Sequence, residues 1–419
     1  MKTFDGNPLE HSPASNHTDH AIMGYEYEFK VSTADHLWIL KKTVKSGFRW
    51  RPKEVWAEID SAWTRSMERL SYGDIVEFFA VLESDGFTGI SIDVPYYMMT
   101  PYDSEVFEQH GIDPNITPWE ITTPTSEELT TLLTALAEVG LDAHVRGQIY
   151  ISKKYNDTHR GIFRMGGVAE PPDPSAFFGS NTQLWLELSP LLSRYHVKLV
   201  TPFTEMENIG KYPRRVKEMY TRIGDVFDGE MGFEEGTANM LNGTSVVNNN
   251  PIHTTEQYRQ IVKKFTFWNW KDLEGNWMRI EYSCWSPPLE TQRDQRASVM
   301  VDNFVKFWRP AIAYYSSTYP HDPQMFGEIG VCNADGVGLG PAYYDIIDKR
   351  LDRQEVADIW YAYLKGSDEL GVNSMNVWTI GLGDLWPMDS PGDFFINIGL
   401  RQTESPAYRI IKEIAAPEE

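Results

Sequence analysis

The chain has 419 residues, a formal net charge of −22 and a pI of about 4.9, so a nucleic-acid backbone or an anionic lipid surface is repelled and a neutral partner is favoured. With 41% hydrophobic and 23% charged residues it can bury a sizeable core. No apolar run approaches the roughly 18 residues that span a bilayer.

The first twenty residues are polar and contain no apolar secretory core, which suits a cytoplasmic protein or a secreted one whose signal has been removed. They read as an extension, 1–20, ahead of one domain spanning 21–419. Ala21 to Val31 alternates Tyr25, Tyr27 and Phe29 with Glu26, Glu28 and Lys30, the pattern of a first strand. From Pro52 to Ser84 the apolar positions Val55, Ile59, Trp63 and Met67 recur every four residues, which predicts a long helix closed by Gly86. Thr88 to Val94 is a second strand, followed by a long loop. Thr125 opens a helix as an N-cap, and Gly140 stops it.

Leu141 to Ile151 is a third strand, on which Asp142, His144, Arg146 and Gln148 share one face. A helix within Ser175 to Tyr195 leads into strand four, Val197 to Asn208, which ends in Thr204-Glu205-Met206-Glu207-Asn208. Lys211 to Phe227 is helical, and Asp228 to Glu234 is the weakest strand, its glycines and acids suiting a loop equally well. Trp277 to Cys284 is strand six, Arg293 to Ser316 a helix, and Gln324 to Gly330 strand seven, which carries Glu328. A helix over Asp352 to Gly366, strand eight over Val372 to Ile380 and a closing helix over Pro406 to Ala415 complete the chain.

Eight strands alternating with helices predict a (β/α)8 TIM barrel with long βα loops. An open doubly wound sheet is the competitor, but no G-x-G-x-x-G follows any strand. On a barrel, strands four and seven face one another across the mouth. Glu205 and Glu328 at their carboxyl ends then form a pair of facing acids, the minimum equipment for cleaving a glycosidic bond. Glu207 competes with Glu205, which is favoured because it lies nearer the strand.

Trp285 and Trp378 belong to a late cluster of indoles of the kind that sugar faces stack on, and Asn208, His144 and Arg146 are candidate hydroxyl-binding groups. Arg146 could also hold Glu328 ionised. No H-x-H, H-E-x-x-H or G-x-S-x-G occurs, so neither a metal site nor a serine nucleophile is indicated, and no cofactor is expected. Cys284 and Cys332 are too few for a disulfide framework.

The TEM of Thr204 to Met206 and the FGEIG of Phe326 to Gly330 resemble the acid-bearing motifs of clan A glycoside hydrolases, family 113 above all. Phe203 and Gly327 depart from that family's Gly and Thr, and Thr204 stands where many clan members have Asn. The resemblance implies a retaining β-glycosidase of endo-β-1,4-mannanase type, with Glu328 as nucleophile and Glu205 as general acid/base. It further implies that Tyr282 hydrogen-bonds the nucleophile and that Trp378 floors the cleaved sugar. Hydrolysis of another β-linked glycan such as β-glucan, or glycan binding without catalysis, are the alternatives.

Overall fold

A computed structural model describes residues 26–32, 37–43, 54–59, 61–158, 171–204, 212–235, 278–284, 289, 297–318, 323–331, 353–382 and 410–412, the first two segments by their backbone. Glu205, Glu207, Asn208, Trp285, Cys332 and the polar N-terminal extension lie outside these residues.

The chain opens with an antiparallel hairpin, β1 (Glu26–Ser32) and β2 (Leu37–Thr43), with Glu26 opposite Thr43. It forms its own two-stranded sheet and is not part of the barrel. Eight parallel strands then close on themselves: β3 (Glu54–Ile59), β4 (Gly89–Met98), β5 (Asp142–Ile151), β6 (Leu199–Thr204), β7 (Glu230–Glu235), β8 (Met278–Cys284), β9 (Gln324–Ile329) and β10 (Ser374–Ile380). β10 pairs with β3 on one side and with β9 on the other, which completes the ring. This is a (β/α)8 TIM barrel.

Among the described residues the α-helices are α1 (Trp63–Met67), α2 (Tyr72–Ser84), α3 (Ser126–Val139), α4 (Lys153–Thr158), α5 (Pro174–Arg194), α6 (Pro213–Gly224), α7 (Ala297–Thr318) and α8 (Arg353–Leu370). None of the helices among the described residues is long and apolar enough to cross a membrane. Capping boxes fix two of their starts. Thr125 Oγ1 accepts from the Glu128 amide at 3.2 Å while the Glu128 carboxylate accepts from the Thr125 amide at 2.7 Å, and Ser71 and Asp74 do the same for α2. Gly140, at φ +89°, ends α3 in the left-handed conformation that only glycine adopts without strain.

The first barrel strand corrects the sequence reading. Residues 54–59 are extended, not helical, and the strand predicted from Ala21 belongs instead to the hairpin. The spacing of four from Val55 through Met67 masked a period of two. Val55, Ala57 and Ile59 face the helices, while Glu54, Trp56 and Glu58 reach groups inside the barrel. The segment over 228–234, whose acids suited a loop, does form β7.

Most of the apolar core lies between sheet and helices, where Trp63, Phe78, Trp185, Tyr220, Phe304, Trp308 and Trp360 pack against the outward faces of the strands. Inside the barrel Trp56, Leu199 and Met325 form an apolar cluster. It separates two charged layers. At the amino-terminal end Arg279 donates to Glu54 and, at 2.6 Å, to Glu230, while the Lys198 ammonium lies 2.9 Å from Glu54 and 2.7 Å from Asp142. The second layer lies towards the carboxyl ends of the strands.

Candidate active site

Strand periodicity projects Glu58 of β3, Asp93 of β4, Arg146 of β5 and Glu234 of β7 towards one another at the end of the barrel where TIM-barrel sites are built, and a register shift on β9 after Phe326, which itself faces the helices, brings Glu328 to join them. Arg146 is fully buried and its guanidinium is the hub. Nη1 donates to Glu58 Oε2 and lies 3.7 Å from Asp93 Oδ1; Nη2 donates to Glu234 Oε2 at 2.6 Å and to Glu328 Oε2 at 3.0 Å. Asn376 of β10 locks the frame, its Nδ2 donating to Glu58 Oε2 at 2.6 Å and to the Gly327 carbonyl at 2.7 Å. On the β4 side Ser61 Oγ donates to Asp93 at 2.8 Å and to Gln148 Oε1 at 3.0 Å, and Tyr150 donates to the same Gln148 oxygen.

One cation among four carboxylates cannot neutralise them all. Burial pushes Glu58 well above the usual carboxylate range against the pull of Arg146, and the neighbouring acids push the same way. Asp93 is raised for the same reasons. Glu328 is raised to about 7, chiefly by burial, with Arg146 opposing and Glu234 adding repulsion. Exposure distinguishes the four acids: the side chains of Glu58, Asp93 and Glu234 are at most 2% exposed, and that of Glu328 is 14% exposed. Glu328 is therefore the acid of this cluster that a substrate could touch.

Beneath the cluster runs a second buried polar chain. Ser91 Oγ lies 3.0 Å from His144 Nδ1, His144 Nε2 lies 2.8 Å from Thr201 Oγ1, and Thr201 donates to Glu281 Oε1. Burial, aided by Arg146, holds His144 well below its ordinary value, so it is neutral. Because the Thr201 proton goes to Glu281, His144 must donate from Nε2 and accept from Ser91 at Nδ1. Glu281 fits only because two neighbours lack side chains: a Cβ on Gly232 would collide with its Oε1, and one on Gly327 would stand 2.8 Å from its Cβ.

The sequence-predicted residues divide. Arg146 and Glu328 meet directly. His144 does not line the mouth: it is fully buried in the lower layer, edge-on to Trp56 at 5.8 Å, and is closed to a sugar hydroxyl. Tyr282 does not reach Glu328 either. Its ring faces the helices, 5.5 Å from Trp308 and 5.9 Å from Phe326, and its hydroxyl donates to Gln324 at 2.6 Å. A one-residue step on a strand reverses the face, so it is Glu281 that points inward. Trp378 is half-buried on β10, its ring against Gly330, where a Cβ would fall 2.8 Å from Cε3.

Glu58, Asp93, Glu234, Glu281 and Asn376 were not singled out from the sequence. The signal was their parity on the strands, E-V-W-A-E and N-x-W on β3 and β10 above all. Among the described residues no group of His, Cys, Asp and Glu side chains has the arrangement of a metal site.

No protein-family model matches the sequence. No curated protein matches it either. Solved structures do match the fold. A GH113 β-1,4-mannanase in a complex and a second GH113 β-1,4-mannanase structure each align with a TM-score of 0.61 at 12% and 14% identity, covering 88% of this chain and 100% of theirs. The GH113 β-mannanase AaManA from Alicyclobacillus acidocaldarius, in complex with ManMIm, aligns with a TM-score of 0.58 at 14% identity over 88% of this chain and 99% of its own. At such identities the likeness is one of fold.

Proposed function

We propose that the chain is a retaining β-glycosidase acting on a neutral β-linked glycan, with β-mannan the favoured substrate. The observation that carries this reading is Glu328: an acid at the carboxyl end of β9, partly open to solvent, bonded to a buried arginine, in a barrel whose fold is that of β-mannanases. In this reading Glu328 attacks the anomeric carbon as the bond to the leaving oxygen breaks, and Glu205 gives that oxygen its proton. Water then attacks the glycosyl-Glu328 ester, Glu205 takes the water's proton, and Glu328 leaves as a carboxylate with the sugar configuration restored. Arg146 stabilises the anionic form of Glu328 before attack and after release. Trp378, on the strand beside β9, supplies an apolar face for the sugar, and Trp285 and Asn208 further contacts.

Arrest and rescue test the assignment. Glu328→Ala is expected to lose at least a thousandfold in turnover on an aryl β-mannoside, on the order of the effect of removing a covalent nucleophile, and azide is expected to restore it with an α-glycosyl azide as product. Proton NMR of wild-type hydrolysis should show the β anomer first. An α anomer formed first, or an active Glu328→Ala, overturns the mechanism; activity on β-glucan but not on β-mannan overturns the substrate alone.

A further inference from the structure

Arg146 offers a single nitrogen to two acids. Nη2 lies 2.6 Å from Glu234 Oε2 and 3.0 Å from Glu328 Oε2, so the buried acid holds the closer contact and the more open one the longer. Nη1 is already engaged by Glu58, which Asn376 fixes in turn, so the guanidinium cannot swing to serve Glu328 with both nitrogens. Glu234 has no other task in view: it is buried, and its Oε1 has no hydrogen-bond partner among the described residues.

We propose that Glu234 is a positioning residue for Glu328, which by taking the closer share of Arg146 Nη2 keeps the arginine's grip on the nucleophile weak. A carboxylate clasped by both nitrogens of an arginine is stabilised in its anionic form and gives up electron density that attack requires. A shared, longer bond leaves Glu328 more basic and its second oxygen available. The charged groups facing Glu328 among the described residues oppose one another: Arg146 from β5 favours its anion, while Glu234 from β7 and Asp93 from β4 disfavour it. Glu58 of β3 bears on it too, the two carboxyls repelling each other. This role rests on the reading of Glu328 as nucleophile, and the test separates the two.

The direct test follows the side-chain carboxyl carbon of Glu328 by NMR in the full chain labelled at Glu, with Glu328→Gln identifying the signal. In wild type its titration midpoint is expected near 7. In Glu234→Gln, which removes the competing charge, it should fall by about one pH unit. Glu234→Asp keeps the charge but withdraws it from Nη2 by one methylene, so the midpoint should fall by a smaller amount. An unchanged midpoint in whichever variant folds overturns the proposal. The acid limb of kcat/KM measured on the same variants should move with the midpoint. A midpoint that moves while the limb stays in place supports the Glu234 coupling and removes Glu328 from the role of nucleophile.

Discussion

Glu281 stands fully buried in the barrel with one oxygen bonded to Thr201 and the other without a partner among the described residues. Burial raises it from 4.5 to about 7, against the pull of Arg146. Between those values the folded chain keeps a proton that the unfolded chain has lost, so stability falls as pH rises and the full cost is in place above 7. Glu281→Gln, which cannot ionise, should therefore raise stability by about 3 kcal/mol at pH 8 and leave it nearly unchanged at pH 4, read from urea denaturation at the two values. Glu328 is raised likewise, but its ionised form is the one the proposed reaction needs. The kcat/KM of the wild type should accordingly rise with pH through about 7, and a profile whose acid limb lies near 4.5 would contradict the crowding of acids around Arg146.

At the scale of a strand, parity decides which side chains meet, and it explains what the sequence disclosed. Alternation is plain on β5 and marks His144 and Arg146 together as inward residues, but it does not say which of them lies at the mouth. On β8 the inward residue is Glu281, bonded to Thr201, and not Tyr282, which meets Trp308; on β9 the register shift after Phe326 turns Glu328 inward against simple alternation, which no sequence pattern discloses. On β3 the coincidence of Val55, Ile59, Trp63 and Met67 mimicked a helix and hid Glu58. Helix begins only at Trp63, with α1, and resumes at Tyr72. Glycines on neighbouring strands carry the complementary information, since Gly232 and Gly327 are the space into which Glu281 fits. Gly232→Ala is expected to destabilise by roughly 3 kcal/mol, and adding Glu281→Ala should return more than half of that; additive losses in thermal or urea unfolding would show that the two do not collide.

Across the whole molecule the two ends of the barrel divide their tasks. At the amino-terminal end burial would raise Glu54, but Arg279 and Lys198 overcome it and hold the carboxyl at about 2. Its contribution is fully present above about 4.5 and drains away as pH falls towards 2. Glu54→Gln should cost about 1–2 kcal/mol at pH 7, discounted because Glu54 is partly hydrated, and leave kcat as it was, because this end is remote from Glu328.

The strand seams differ as well. β4 and β5 are in register from Gly89 and Asp142 to Met98 and Ile151, whereas among the described residues β6 is in register with β7 at Leu199↔Glu230 and Val200↔Met231, and β10 with β9 at Met375↔Phe326 and Val377↔Ile329. The bond from Arg146 to Glu234 reaches from β5 over the first of these thin seams, and the one from Asn376 to the Gly327 carbonyl stitches the second. The polar hub is thus also a lacing drawn across two seams where few positions of neighbouring staves are in register. Cutting the lace from Arg146 with Arg146→Met should loosen the first seam before anywhere else, with amide hydrogen exchange quickening in β7 while β4 and β5 stay protected.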